Sequence, residues 1–150
     1  MNTNAISEPC LTCGNYKNRG LSVDAVIVMD GKVLLGKRGR DPDKGSWALI
    51  GGYVEWDESV EEALRREVKE EANLEVTKMH LVNVYSNPDR HPKQTINIAY
   101  LVEVTGEPQA GDDIDELKYF KLDELPEMAF DHQTILTCAV SLPALTADLH

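Results

Sequence analysis

Long apolar runs, a basic surface and a cysteine framework are all missing from this 150-residue chain, and each absence removes a class of protein. No stretch approaches the roughly 18 consecutive apolar residues that a membrane-spanning helix needs. Met1 to Pro9 has neither a basic flank nor a hydrophobic segment, so no secretory leader is expected and the chain reads as cytoplasmic. Acidic residues outnumber basic ones, 26 against 15, for a formal net charge of −11. Such a surface repels a phosphate backbone, which argues against nucleic-acid polymers as partners. A small phosphorylated substrate stays open, provided metal ions neutralise the site. Three cysteines make no disulfide framework: Cys10 and Cys13 form one Cys-x-x-Cys pair, and Cys138 stands alone.

The length is that of one ordinary domain with a real core. Residues 1–20 are polar and irregular and read as an N-terminal extension, with the folded domain over 21–150. Two β-branched runs, Val23 to Met29 and Lys32 to Lys37, flank Asp30-Gly31, which is a hairpin signal. A charged loop follows, Arg38 to Ser46, then an extended segment, Trp47 to Val54, interrupted by Gly51-Gly52. Ser59 to Ala72 is the clearest helix, opened by an S-x-x-E capping box at Ser59 and Glu62. Short strands are expected at Leu81 to Tyr85, Thr95 to Val104 and Lys118 to Leu122, and Asp131 is placed to cap a closing helix that ends near Pro143. Strands mixed with two helices predict an α/β layered domain.

The central helix breaks its own pattern. At about 100° per residue, Val60, Ala63, Leu64, Val68 and Ala72 share one arc, while Glu62, Arg65, Arg66 and Lys69 fall on the solvated side. Glu67 and Glu71 project within the apolar arc, with Glu70 at its edge. Like charges on a half-buried face cost stability unless something positive sits between them. Oxygen-rich clusters of this kind suit Mg²⁺ or Mn²⁺. The plainer alternative is an acidic surface stripe offset by Arg65, Arg66 and Lys69; the helical placement favours the metal site.

From Gly52 to Leu74 the chain resembles the Nudix box, G-x5-E-x7-R-E-U-x-E-E-x-G-U with U aliphatic. Gly52, Glu58, Arg66, Glu67, Val68, Glu70, Glu71 and Leu74 match at the required spacing. Asn73 replaces a glycine at the helix end, where asparagine tolerates a left-handed backbone best among the other residues. Ile50 stands where the family commonly has proline. The resemblance implies a Nudix-type α/β/α sandwich with a mixed sheet around a loop–helix–loop box. It implies metal ligation by Glu67, Glu70 and Glu71, with the Gly51 carbonyl often joining them. It further implies that Arg66 orients the glutamates, that Glu58 supports the loop–helix–loop, and that Glu55 contributes nearby. Asp112, Asp113 and Glu116, in the loop Gly111 to Leu117, are alternative acidic contributors and bases alongside Glu70 and Glu71.

Outside the box, Arg38 and Arg40 form a basic cluster that could hold substrate phosphate or merely balance Asp41 and Asp43. Trp47 could stack on a base or pack in the core. Tyr85 to Pro92, with Pro88 about fifteen residues past the box, resembles the corresponding loop of ADP-ribose pyrophosphatases, as do Gly111 to Asp113 and Ala129-Phe130-Asp131-His132. The expected function is therefore metal-dependent hydrolysis of ADP-ribose or a related nucleoside diphosphate derivative. A triphosphate pyrophosphohydrolase is the first alternative, and a non-catalytic nucleotide sensor the second. The Cys10–Cys13 pair is similar to half of the zinc ribbon found ahead of some Nudix domains. Four ligands are needed, so zinc held by this chain alone is not expected. Related enzymes are often dimers, which leaves a homodimer open.

Overall fold

A computed structural model describes residues 8–14, 18–111 and 113–143. Among the described residues seven strands form one mixed sheet: β1 (Leu21–Met29), β2 (Lys32–Arg38), β3 (Trp47–Ala48), β4 (Ile50–Tyr53), β5 (Glu75–Tyr85), β6 (Ile96–Thr105) and β7 (Ile114–Lys121). The order is β3-β2-β1-β6-β5, with β4 also paired to β1 and β7 to β2. β1 and β6 run parallel, and the remaining pairs are antiparallel. The β1–β2 turn is the expected Asp30-Gly31, both with positive φ, 53° and 73°.

Two helices cover opposite faces. Helix α1 (Val60–Ala72) contributes Ala63, Leu64, Val68 and Ala72 to one core, which Val23, Ala25 and Ile27 of β1 also enter. Helix α2 (His132–Val140) brings Ile135, Leu136 and Ala139 to a second core, shared with Val26 of β1 and with Ala99 and Leu101 of β6. Successive β1 side chains thus alternate between two helices, which is why that strand reads as an unbroken apolar run. This is the α/β/α sandwich.

Both helix starts lie where expected. At α1 the Ser59 hydroxyl accepts the Glu62 N–H at 3.1 Å. At the other end Asn73 is left-handed, φ 59° and ψ 34°, and its N–H returns to the Lys69 carbonyl at 3.0 Å. At α2 the expected mechanism is corrected: Asp131 occupies the cap position but makes no side-chain cap bond, because Arg90 holds its carboxylate. Several strands are longer than the apolar pattern indicated. β5 begins at Glu75 and β7 at Ile114, because charged residues on exposed sheet surface break the alternation without breaking the ladder.

Candidate active site

Helix α1 lies against β4, and two glycines set how closely. A Cβ on Gly52 would stand 2.5 Å from the Glu67 carboxylate, and one on Gly51 would collide with the Val23 carbonyl and the Asp24 carboxylate. The Gly51 N–H donates to Glu71 Oε2 at 3.2 Å. Glu71 is only 9% exposed and Glu67 is half-buried. Helical rotation explains the order: i+4 returns to the buried face, whereas Glu70 at i+3 falls outside it and is markedly more exposed.

Arg66 ties the acidic residues together. Its guanidinium grips Glu58 with two bonds, 2.7 and 3.0 Å, and donates to Glu67 at 2.7 Å, Glu70 at 3.2 Å and the Tyr53 carbonyl at 2.9 Å. Glu55 stands 3.7 Å away. This corrects the expectation that Arg66 lies on the solvated face: its side chain is 22% exposed and turned into the carboxylates. Glu58 also accepts the Glu55 N–H at 2.7 Å. The Arg66 hydrogen bonds, with that backbone N–H, hold the Glu58 carboxyl down at about 2. In turn Glu58 and then Glu67 raise the Arg66 pKa. One guanidinium among four carboxylates leaves surplus negative charge.

A cleft of about 490 Å³ opens beside this cluster. Of the ligand and contact candidates from the sequence it is lined by Gly51, Glu55, Glu67, Glu71, Arg38, Arg40 and Asp113, with Gly52 of the box beside them. Arg40 pairs with Asp113 at 2.8 Å rather than with Asp41 or Asp43, and Arg38 Nε donates to the Pro42 carbonyl at 2.8 Å. Other candidates stand elsewhere. Glu70 is turned to Arg66 and does not line the cleft. Glu116 lies on β7 opposite Lys37 of β2, since the expected loop Gly111 to Leu117 becomes strand at Ile114. Trp47 packs edge-on against Phe120, ring centroids 4.8 Å apart, beside the α2-side core, as its bland alternative required. Pro88 itself is exposed; it opens a 3-10 turn, Pro88–Arg90, and does not line the cleft. Asp112 lies outside the described residues.

Among the described residues no three His, Cys, Asp or Glu side chains converge as they would in a preformed metal cage. Magnesium does not require one, because it commonly takes one or two carboxylates and completes its shell with water and substrate phosphate. Glu67 and Glu71, one turn apart on the cleft wall, fit that requirement, and their hard oxygen donors suit Mg²⁺ or Mn²⁺.

Other cleft residues were given no role from the sequence, although Arg90 and His132 fall in the two segments likened to ADP-ribose pyrophosphatases. Asp24 is 7% exposed, and its carboxylate accepts from His132 Nε2 at 3.2 Å, while His132 Nδ1 accepts the Leu49 N–H at 3.0 Å. Arg90, whose side chain is 4% exposed, grips Asp131 at 2.7 and 2.8 Å and donates to the Thr95 carbonyl at 3.0 Å. One signal was available: Asp24 is a lone acid inside the β-branched run of β1. The other partners lie tens of residues apart.

The model of the NUDIX domain matches residues 18–137. The chain belongs to the Nudix family. An ADP-ribose pyrophosphatase of Methanocaldococcus jannaschii is 46% identical over 123 residues, covering 81% of this chain and 73% of that protein. Among solved structures, the MutT NUDIX hydrolase of Burkholderia pseudomallei superposes with a TM-score of 0.75 at 32% identity, covering 81% of this chain and 98% of the other. A bifunctional NMN adenylyltransferase/ADP ribose pyrophosphatase of Francisella tularensis, complexed with AMP and a manganese ion, reaches 0.71 at 29% identity; this chain matches 41% of its length. The Nudix fold, a mixed sheet between two helices, is therefore shared across these proteins. No helix among the described residues is long and apolar enough to cross a membrane.

Proposed function

We propose that this Nudix domain is a metal-dependent pyrophosphohydrolase that cleaves the diphosphate bond of ADP-ribose or a related nucleoside diphosphate derivative. The observation that carries the reading is Glu67 and Glu71 set one turn apart on the wall of a cleft whose rim brings Arg38 and Arg40. The likeness to the ADP-ribose pyrophosphatase of Methanocaldococcus jannaschii supports the substrate class.

A diphosphate is anionic and resists attack by water. When bound, a divalent ion supplies neutralisation of the phosphate oxygens and makes water a better nucleophile at neutral pH. Glu67 and Glu71 would hold that ion, each through a carboxylate that the fold already orients. Arg66 keeps Glu67 in place, and Glu58 keeps Arg66 in place. The Gly51 N–H fixes one oxygen of Glu71 and thereby its rotamer. Arg38 and Arg40 bring positive charge to the phosphate side of an otherwise acidic cleft. Glu55, on the cleft wall, and Asp113, on the rim beside Arg40, are two of the acidic side chains lining the cleft that could accept the proton of the attacking water.

Incubation of the full chain with ADP-ribose and Mg²⁺ is expected to give AMP and ribose 5-phosphate in equal amounts, with water supplying the added oxygen. Release of diphosphate from nucleoside triphosphates, with ADP-ribose inert, would replace this reading. Tight nucleotide binding without turnover of any substrate would remove the enzyme altogether.

A further inference from the structure

Cys10 and Cys13 belong to neither core and do not line the cleft, so the proposed activity leaves their motif unused. The turn from Cys10 to Gly14 is wound around one sulfur. The Thr12 N–H donates to Cys10 Sγ at 3.4 Å, and the Gly14 N–H donates to the Cys10 carbonyl at 2.8 Å. Gly14 has φ 75°, which lets the chain close over the first cysteine. The Cys13 and Thr12 backbone N–H groups, and then the Cys13 thiol, hold the Cys10 thiol below the ordinary cysteine range. The two sulfurs are thus within hydrogen-bonding reach of each other. Both cysteines are exposed, and Leu11 between them is fully exposed, so no described residue covers the turn.

Two sulfurs so placed make half of a tetrahedral site. Zinc takes four donors, with sulfur at about 2.3 Å, which sets neighbouring sulfurs about 3.8 Å apart. Backbone N–H groups aimed at a sulfur favour the thiolate, the form that binds metal. The chain does not supply the other half. Cys138, its one further cysteine, sits on α2, and among the described residues no three His, Cys, Asp or Glu side chains converge. His91 and His132 are committed at the cleft, where each Nδ1 accepts a backbone N–H. Residues 1–7 and 15–17, which flank the turn in sequence, contain no thiol, imidazole or carboxylate side chain. A second copy presents the same uncovered pair. A twofold axis through one ion brings four thiolates around it by a self-complementary contact.

We propose that Cys10 and Cys13 are one half of a zinc site that a second copy of this chain completes, with four thiolates around one Zn²⁺ joining two chains. Soft sulfur donors select such an ion over Mg²⁺, which keeps to the hard oxygens of Glu67 and Glu71. Two chains of net charge −11 repel each other, so the zinc–sulfur bonds have to offset that repulsion, and added salt should strengthen the assembly. The inference concerns assembly, draws on no cleft residue and stands apart from the pyrophosphohydrolase reading.

The test takes the full chain, reduced with a phosphine and freed of metal, and titrates it with Zn²⁺ and with Co²⁺ while sedimentation velocity follows its mass. The expected result is uptake of one ion per two chains, with the thiolate charge-transfer and tetrahedral ligand-field bands of Co²⁺, and a doubling of mass that chelation reverses. Cys10→Ser and Cys13→Ser should each abolish uptake and doubling without moving the melting curve, since both side chains are exposed. Cys138→Ser should keep them. No uptake, one ion per single chain, a mass that the metal leaves unchanged, or uptake that survives Cys10→Ser and Cys13→Ser would overturn the inference. Turnover of ADP-ribose with Mg²⁺ judges the catalytic reading separately, because no cleft residue is altered.

Discussion

Arg66 and Arg90 make the same contact, a two-pronged grip on one carboxylate, in contrasting surroundings. Arg90 meets one acid, Asp131, and a backbone carbonyl, and its side chain is almost fully buried. Its charge is balanced, and the pair joins two segments 41 residues apart. Arg66 meets Glu58 in the same way but also touches Glu67 and Glu70, with Glu55 close by. Its single charge cannot neutralise four acids. A balanced buried pair locks structure, whereas an overdrawn one leaves an electrostatic demand that a mobile cation can meet. The two ion pairs accordingly stand on different sides of the fold, one locking segments together and the other, on the proposed reading, holding carboxylates ready for a cation.

Each arginine's role can be tested by substitution. The largest effect is expected from Glu71→Gln, which keeps an oxygen for the Gly51 N–H but removes the charge: hydrolysis of ADP-ribose should fall about 10³-fold, the equivalent of several kcal/mol of charge stabilisation, with an unchanged melting curve. Next, Arg90→Ala removes a buried guanidinium and leaves the half-buried Asp131 carboxylate without its partner, and should lower unfolding stability by about 2 kcal/mol, read from urea transitions at constant slope. Metal affinity should barely move in that variant. An equal loss of metal affinity would mean that the two sides are one network.

The pH dependence sharpens the contrast further. Glu58 has its folded pKa depressed to about 2 from an ordinary 4.5. Its contribution is therefore complete above about pH 4.5 and is lost as the pH falls through about 2. The melting-temperature gap between the parent chain and Glu58→Gln should be level from neutral pH to about 5 and close below that, as a pH series of melts would show. The smallest effect belongs to Asn73→Gly, which restores the glycine of the box at a residue already left-handed. Stability should shift by less than about 1 kcal/mol and turnover not at all; a large change in turnover would show that the helix end, and not only its charges, tunes the site.

What could be read from the residues follows the same division. The α1 side is local: Gly52 to Leu74 contains the glycine, the arginine and the glutamates at helical spacing, so periodicity alone indicated which acids turn inward and which, like Glu70, sit at the edge. Asn73, at the glycine position of the box, is legible as a left-handed cap from the residues alone. The α2 side is built from Asp24, Arg90, Phe130, Asp131 and His132, which meet only after the sheet has formed. No spacing rule connects them, and Asp131 looked like a helix cap because its partner is 41 residues away. Glu116 and Trp47 needed the fold for a related reason: an acidic strand paired to β2 resembles a loop, and an aromatic at a strand start can serve a base or, more often, a core.

On this reading, the excess of carboxylate around Arg66 calls for a divalent cation at Glu67 and Glu71. Binding of Mn²⁺ to the full chain, followed by electron paramagnetic resonance without nucleotide, tests it directly. The parent chain should take up Mn²⁺, and Glu67→Gln and Glu71→Gln should each weaken uptake by about tenfold or more. Undiminished uptake in both variants, or none in the parent chain, would contradict it.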